Sequence, residues 1–97
     1  MVSVIIKKSN KSGKKYMATF TRDNGRKKTT HFGQQGAPDY TLTGDKDRRK
    51  AYRDRHKKDL NTNDYTRAGY LSYYILWGNS KSIRQNIISY KNRFNLK

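Results

Sequence analysis

Cysteine and glutamate are both absent from this chain of 97 residues. Without cysteine the protein forms neither disulfides nor thiolate metal sites, which fits a reducing compartment. Without glutamate, the 7 acidic residues are all aspartates, and only 2 histidines accompany them. Histidine, glutamate and paired aspartates supply most general acids and bases in enzymes, so the composition argues against an enzyme.

Long hydrophobic runs are also missing, although hydrophobic residues make up 32% of the chain. The most apolar stretch, residues 69–77, is far shorter than the roughly 20 residues that a membrane helix needs. The apolar residues at positions 2–6 are too few for a secretory signal, and two lysines follow them. The sequence therefore predicts a soluble protein without a membrane partner.

Positive charge is what the chain has in excess. Lysine and arginine number 23 against 7 acidic residues, which gives a formal net charge of +16. A compact domain of this charge repels itself unless counterions or an anionic partner neutralise it. The length allows one core, so we expect a single basic domain over residues 1–97 that binds a polyanion, in the first place nucleic acid.

Alternating apolar residues predict three strands within residues 1–32. Positions 2, 4 and 6 carry Val, Val and Ile, and the same two-residue period runs from Tyr16 to Phe20. Residues 27–32 would form the third strand. Together these segments predict a three-stranded antiparallel β-meander.

The turn before the third strand decides the pairing register. Asp23-Asn24-Gly25 is typical of a hairpin, because Asn and Gly tolerate positive φ. A two-residue loop would pair Met17 with Phe32, whereas a three-residue loop with a bulge pairs Tyr16 with Phe32. We favour the second, because it gathers one apolar face. That face consists of Tyr16, Ala18, Phe20 and Phe32.

A loop over residues 33–44 separates the strands from the helices, since it holds three glycines and one proline without a periodic pattern. Three helices are predicted within residues 45–96. The first, 47–60, follows a cap at Thr43 or Asp45. Its narrow apolar stripe, which we expect to face the sheet, consists of Tyr52, His56 and Leu60.

The second predicted helix, 65–77, is apolar nearly all round and ends at Gly78, so it should be the central core helix. The third follows a cap at Ser80 or Ser82. Its apolar residues recur at helical spacing and are Ile83, Ile87, Tyr90 and Phe94. The predicted fold class is therefore α+β, a three-stranded antiparallel β-meander followed by three α-helices.

No pattern of residues predicts a catalytic or metal site. His31 and His56 stand about 25 residues apart without the spacing of metal ligands. A metal site for phosphodiester cleavage built from Asp39, Asp45 and Asp47 is the weaker interpretation, because turns and helix caps account for these residues. We therefore expect no catalytic residue, no metal and no cofactor.

The candidate nucleic-acid-binding residues form three basic surfaces, two at the hairpin turns and one on the first helix. Residues 1–30 hold nine basic residues and one aspartate, whereas residues 31–60 hold eight basic and five acidic ones. The hairpins should therefore contribute more than the helix. The candidates are Lys7, Lys8, Lys11, Lys14, Lys15, Arg22, Arg26, Lys27, Lys28, Arg48, Arg49 and Arg53. Such cations displace condensed counterions from phosphates, which predicts salt-sensitive binding with little base specificity.

Three motifs carry a resemblance to a known family. They are Thr30-His31-Phe32-Gly33 with Gly36 and Asp39-Tyr40-Thr41; Asp47-Arg48-Arg49 with Tyr52 and Arg55-His56; and Ala68-Gly69-Tyr70-Leu71-Ser72 with Leu76-Trp77. In this order and spacing the chain resembles a family of small basic proteins of unassigned function from giant nucleocytoplasmic large DNA viruses, relatives of mimivirus and phycodnavirus. The resemblance runs from about residue 28 to residue 94 and departs from the family pattern at Thr43 and at Asp59-Leu60.

The resemblance implies a viral protein located in the virion, in the virus factory of the host cytoplasm, or in both. Two functions follow as expectations. The first is nucleic-acid binding, with DNA favoured over RNA, in genome packaging or virus-factory organisation. The second is a structural virion protein, such as a minor capsid or scaffold component, whose basic surface contacts acidic proteins.

Overall fold

Three antiparallel strands begin the chain and confirm the predicted meander. In the computed structural model, which describes residues 1–97, β1 spans Ser3–Lys8, β2 spans Lys14–Thr21 and β3 spans Lys27–Gln34. The strand order is β1-β2-β3, so β2 is central. The sheet forms here because the alternating residues give it one apolar face.

The register between β2 and β3 is the one that the three-residue loop requires, with Tyr16 opposite Phe32. The Arg22 amide donates to the Arg26 carbonyl at 2.9 Å, closing the loop over residues 23–25. Gly25 has φ +84°, a value that glycine adopts without strain. The favoured alternative is thus confirmed.

Helices follow the sheet, so the α+β class is confirmed, although the helical part is more divided than predicted. The elements are α1 (Tyr40–Thr43), α2 (Lys46–His56), a 3₁₀ helix (Lys57–Thr62), α3 (Ala68–Leu71), a π-helical turn (Ser72–Leu76) and α4 (Ile83–Arg93). Asp45 caps α2 and Ser82 caps α4 through their side-chain oxygens. Both caps were among the predicted ones.

The short helix α1 lies in the segment that we predicted as a loop. The Asp39 carboxylate caps it by accepting the Thr41 amide at 2.8 Å. Gly44 ends it in the left-handed region with φ +65° and donates its amide to the Tyr40 carbonyl at 2.9 Å. A single turn with a cap at each end is too short to leave a helical period in the sequence, which is why the prediction missed it.

The segment predicted as the second helix begins at Ala68 rather than at residue 65. The Asp64 carboxylate accepts the amide of Thr66 at 3.0 Å and its hydroxyl at 2.6 Å, and this turn delays the helix. After Leu71 the helix widens into the π-helical turn, whose closing bond runs from the Trp77 amide to the Ser72 carbonyl at 3.0 Å.

The helical segment ends just before Gly78, as predicted, although Gly78 does not adopt the positive φ that is common for glycine after a helix. Its role is a close approach instead. A Cβ atom at this position would lie 2.3 Å from the Tyr74 carbonyl oxygen and 2.7 Å from Cγ of Asn86. Asn86 is buried and donates to the carbonyls of Ile75 and Ser80 at 2.8 and 2.7 Å, which locks α4 to the end of the π-helical turn.

The core lies between one face of the sheet and the segments 68–77 and 83–96. Its buried members are Val4, Ala18, Phe20, Phe32, Tyr40, Leu71, Ile75, Leu76, Trp77, Tyr90 and Leu96. The predicted stripe of α2 does not face the sheet, because the more apolar segment 68–77 already covers it. The Tyr52 ring instead stacks on Trp77, and α2 has no buried residue.

Candidate nucleic-acid interface and a neighbouring cleft

The face of the sheet that points away from the core carries three rows of side chains across the strands. In the pairing register the rows are Ser3, Thr21 and Lys27; Ile5, Thr19 and Thr29; and Lys7, Met17 and His31. We call these nine residues the outer face. None of them is buried, and none is acidic. The hydroxyls of Thr19 and Thr29 lie 3.3 Å apart, so these neighbours in the middle row are in contact across the strands.

The two basic turns lie at opposite ends of this sheet. The first turn directly precedes Lys14, the first residue of β2, and the second follows Thr21, its last residue. At about 3.3 Å per residue, an eight-residue strand separates the turns by roughly 25 Å. The turns therefore do not form one patch, and the outer face extends between them.

Two of the candidate lysines are engaged within the protein. The Lys15 ammonium donates to Asp39 at 2.6 Å and to the Ala37 carbonyl at 2.5 Å, and its side chain is only 14% exposed. The Lys28 ammonium donates to the Thr66 hydroxyl at 2.8 Å. Both lysines thus bind the sheet to the segments that follow it, and their charges are less available to an external anion.

Two of the candidate arginines are likewise engaged, with backbone carbonyls at the end of the π-helical turn. Arg49 Nε donates to the Gly78 carbonyl at 2.7 Å. Arg53 donates to the carbonyls of Tyr73 and Trp77 at 3.0 and 2.8 Å, and its guanidinium lies 4.0 Å from the centroid of the Tyr73 ring. Burial lowers the pKa of Arg53 below its ordinary value, and the role of both side chains is to hold α2 in place.

The other eight candidate residues are exposed. Seven of them take part in no ion pair, and the eighth, Arg48, lies 3.6 Å from Asp45. The seven are Lys7, Lys8, Lys11, Lys14, Arg22, Arg26 and Lys27. All seven belong to the sheet or its turns, so the free cations are concentrated there rather than on α2.

Sequence reasoning missed a cleft of about 660 Å³ beside the start of β2. One wall is aromatic and apolar, and cations lie around it. The apolar lining residues are Phe32, Ala37, Ala51, Tyr52, Ala68, Leu76 and Trp77. Lys14 and Arg55 line the cleft without an acidic partner, and Arg48 lies 3.6 Å from Asp45. The spacing of Arg48, Tyr52 and Arg55 by four and three residues puts them on one side of α2 and is the signal that could have indicated this cleft.

Three rings are stacked along the cleft. The rings of Trp77 and Tyr52 have centroids 4.4 Å apart, and those of Tyr52 and His56 have centroids 4.1 Å apart. His56 Nδ1 lies 3.0 Å from the Asp59 carboxylate. Burial and then the Asp59 charge raise the pKa of the Tyr52 phenol. The stack ends at His56, whose side chain is 38% exposed.

Neither a metal centre nor a membrane span is visible in the structure. No three side chains of His, Asp, Cys or Glu lie close enough together to hold a metal ion. The carboxylates of Asp39 and Asp45 act as helix caps, as expected. No helix has the length and apolar character that crossing a membrane requires.

Comparison with known proteins matches the chain to a family model described as a family of unknown function, DUF5754. No curated protein and no solved structure is significantly similar to the chain. The matched residues, 4–56, include all three strands and α2 and end before the 3₁₀ helix. Since they make up more than half of the chain, the protein belongs to DUF5754, a family of unknown function.

Proposed function

We propose that the protein binds duplex DNA through its phosphates, with little base specificity, using the outer face and the basic turns at both ends of it. The observation that carries this proposal is the uncovered outer face, which has no acidic residue and lies between two groups of unpaired cations. The net charge of +16 gives the anionic partner a long-range attraction.

The dimensions of the outer face support duplex DNA as the partner. Three strands at about 4.8 Å spacing place the axes of the outer strands roughly 10 Å apart, which is close to the roughly 12 Å that separates the phosphate backbones across the B-DNA major groove. Serine and threonine hydroxyls and lysine ammonium groups are common donors to phosphate oxygens. The major groove of A-form RNA is deep and narrow, so the outer face fits DNA better than double-stranded RNA.

The setting proposed for this activity rests on the resemblance to proteins of giant DNA viruses. In that setting the protein would act in genome packaging or in the organisation of the virus factory, in the host cytoplasm or in the virion. Binding with little base specificity suits such a task, because the whole genome must be covered.

The experiment that tests the proposal is a titration of duplex DNA with the purified protein over a range of salt concentrations. The logarithm of the affinity should fall with the logarithm of salt by about 0.9 for each phosphate neutralised, and we expect a slope equivalent to roughly five to eight contacts. A slope near zero, or no binding at low salt, would refute the proposal.

Matched charge variants locate the interface. The triple variant Lys7→Gln, Lys11→Gln, Lys27→Gln should weaken DNA binding more than the triple variant Lys57→Gln, Lys58→Gln, Lys81→Gln. The second set removes the same charge from exposed positions outside the sheet. Equal losses would show that binding is spread over the whole molecule and that the outer face is not the interface.

A structural virion role, in which an acidic protein covers the outer face, is the second candidate. Ile5 favours it, because this side chain is 59% exposed in the middle row of the outer face and a protein contact would bury it. Ile5→Ser should leave DNA affinity within about twofold, since phosphate contacts need no apolar side chain. A large loss of binding to a stoichiometric protein partner in the same variant would favour the structural role.

A further inference from the structure

The cleft beside α2 has the size and the chemistry of a small-ligand site. Its volume of about 660 Å³ falls within the range of roughly 300–1,000 Å³ that is usual for such sites. Aromatic and apolar side chains line one wall, and cations surround it. This combination suits a ligand with a flat ring at one end and a negative charge at the other.

The charges in the cleft are unbalanced in favour of an anion. Four cations, Lys14, Lys15, Arg48 and Arg55, line it against two carboxylates, of which Asp39 is paired with Lys15 at 2.6 Å and Asp59 lies 3.0 Å from His56 Nδ1. Lys14 and Arg55 make no ion pair and no side-chain hydrogen bond, and Arg48 lies 3.6 Å from Asp45. Lys14 comes from β2 and Arg55 from α2, and ammonium and guanidinium groups that line one cleft are common ligands of phosphate.

The ring stack provides the place for the flat group. Tyr52 is covered by Trp77 on one face and by His56 on the other, so it offers no free ring face. Tyr52 is the aromatic ring that stacks on His56, and the His56 side chain is 38% exposed. The free face of the imidazole can therefore accept a fourth ring, as aromatic side chains do for nucleic-acid bases.

We propose that this cleft binds one nucleoside monophosphate unit, with its base on the free face of His56 and its phosphate between Lys14 and Arg55. The unit has two sources, a free nucleotide or an unpaired nucleotide of a single strand. This site is separate from the outer face and does not depend on the proposed function.

Trp77 provides the readout, because it is the only tryptophan and belongs to the stack. Adenosine 5′-monophosphate should bind saturably and about tenfold more tightly than inorganic phosphate, which makes only the phosphate contacts, or adenosine, which makes only the base contact. The titration is followed by Trp77 fluorescence and repeated by calorimetry. Equal affinities for the nucleotide and for inorganic phosphate would overturn the proposal.

Variants of Arg55 and His56 test the phosphate contact and the base contact of the proposed site. Arg55→Gln should weaken nucleotide binding about tenfold, the usual effect of losing a charged hydrogen bond, whereas Arg84→Gln, at an exposed position outside the cleft, should leave it unchanged. His56→Ala should weaken binding, and His56→Phe, which keeps a ring, should retain it. Equal losses in the two arginine variants, or equal losses in the two His56 variants with the fold intact, would refute the site.

A single-stranded oligoadenylate distinguishes the two sources. If the strand binds more than about tenfold more tightly than the mononucleotide, and Arg55→Gln weakens its binding, the ligand is an unpaired nucleotide of a single strand. If the two bind equally, the ligand is a free nucleotide. Lys7→Gln with Lys27→Gln should leave the mononucleotide affinity unchanged, and Arg55→Gln should leave duplex affinity within about twofold. These controls distinguish a failure of the nucleotide proposal for the cleft from a failure of the duplex DNA proposal for the outer face.

Discussion

The indole ring of Trp77 and the phenol ring of Tyr52 lie nearly parallel, with centroids 4.4 Å apart and planes 8° apart. Trp77 belongs to the core, whereas Tyr52 belongs to α2, a helix without a buried residue. The stack is thus one of the few contacts by which the core holds this helix.

Trp77→Ala should lower the free energy of unfolding by about 3–5 kcal/mol, because it removes a large ring that is packed on both the core and Tyr52. Trp77→Phe retains part of the stack and should cost less. Urea unfolding followed by circular dichroism measures both variants. An unchanged midpoint in Trp77→Ala would mean that the ring is not packed in solution.

Arg53 and Arg55 offer a matched pair on the same helix. Arg53→Met should destabilise the protein by about 1–3 kcal/mol, because the carbonyls of Tyr73 and Trp77 lose their donor. Arg55→Met removes an exposed side chain without a partner and should change stability by less than about 0.5 kcal/mol. Similar effects of the two changes would contradict the structural role of Arg53.

The ion pair of Lys15 and Asp39 predicts that removing the lysine lowers stability strongly and that removing the carboxylate charge as well restores part of it. Lys15→Met leaves the Asp39 carboxylate, which is 2% exposed, without its counter-ion, and should cost about 3–5 kcal/mol. Asp39→Asn added to this variant should recover part of the loss, since the side chain then carries no charge. Lys14→Met is the neighbouring control and should be nearly neutral, as measured by thermal unfolding.

Asp64 predicts a loss of stability in acid. Hydrogen bonds from Thr66, with smaller contributions from Lys28 and Arg67, hold the pKa of the Asp64 carboxyl below its ordinary 3.8. Because the pKa of Asp64 is lower in the folded protein, its charged carboxylate stabilises the fold above pH 3.8. This stabilisation is lost as the pH falls through the pKa of the folded protein. Asp64→Asn should therefore be less stable than the parent protein at neutral pH.

The difference between Asp64→Asn and the parent should shrink steadily as the pH falls below 3.8. Urea unfolding over a pH series measures it. A difference that is the same at every pH would show that the charge of Asp64 has no part in stability.

Local signals made the sheet predictable and left part of the helical region unpredictable. The alternating residues and the Asn24-Gly25 turn act over a few positions, so both the strands and their register could be inferred. The break at Asp64 is local, since its carboxylate accepts from Thr66 two positions later, but its effect on where the helix begins was not predicted. The packing of Gly78 against Asn86 depends instead on two segments that meet only in the folded chain. No short-range pattern encodes such contacts.

The same limit applies to the sites. Sequence identified the cations of the sheet turns, yet it gave no means to separate Lys14, which is free, from Lys15, which is paired with a carboxylate 24 positions later. The cleft was missed because its walls come from four separate segments and its rings were assigned to the core. Arg55 was quoted within a motif and was not named as a binding residue.

The way in which α2 is attached has a consequence for the dynamics of the molecule. Its main side-chain links to the remainder of the protein are the stack of Tyr52 on Trp77, the contacts of Arg49 and Arg53 with tyrosine rings, and the hydrogen bonds of these two arginines to residues beyond Leu71. None of these belongs to the sheet. In amide hydrogen exchange, α2 should open as a subglobal unit of lower protection, while the amides of β2 exchange only through global unfolding.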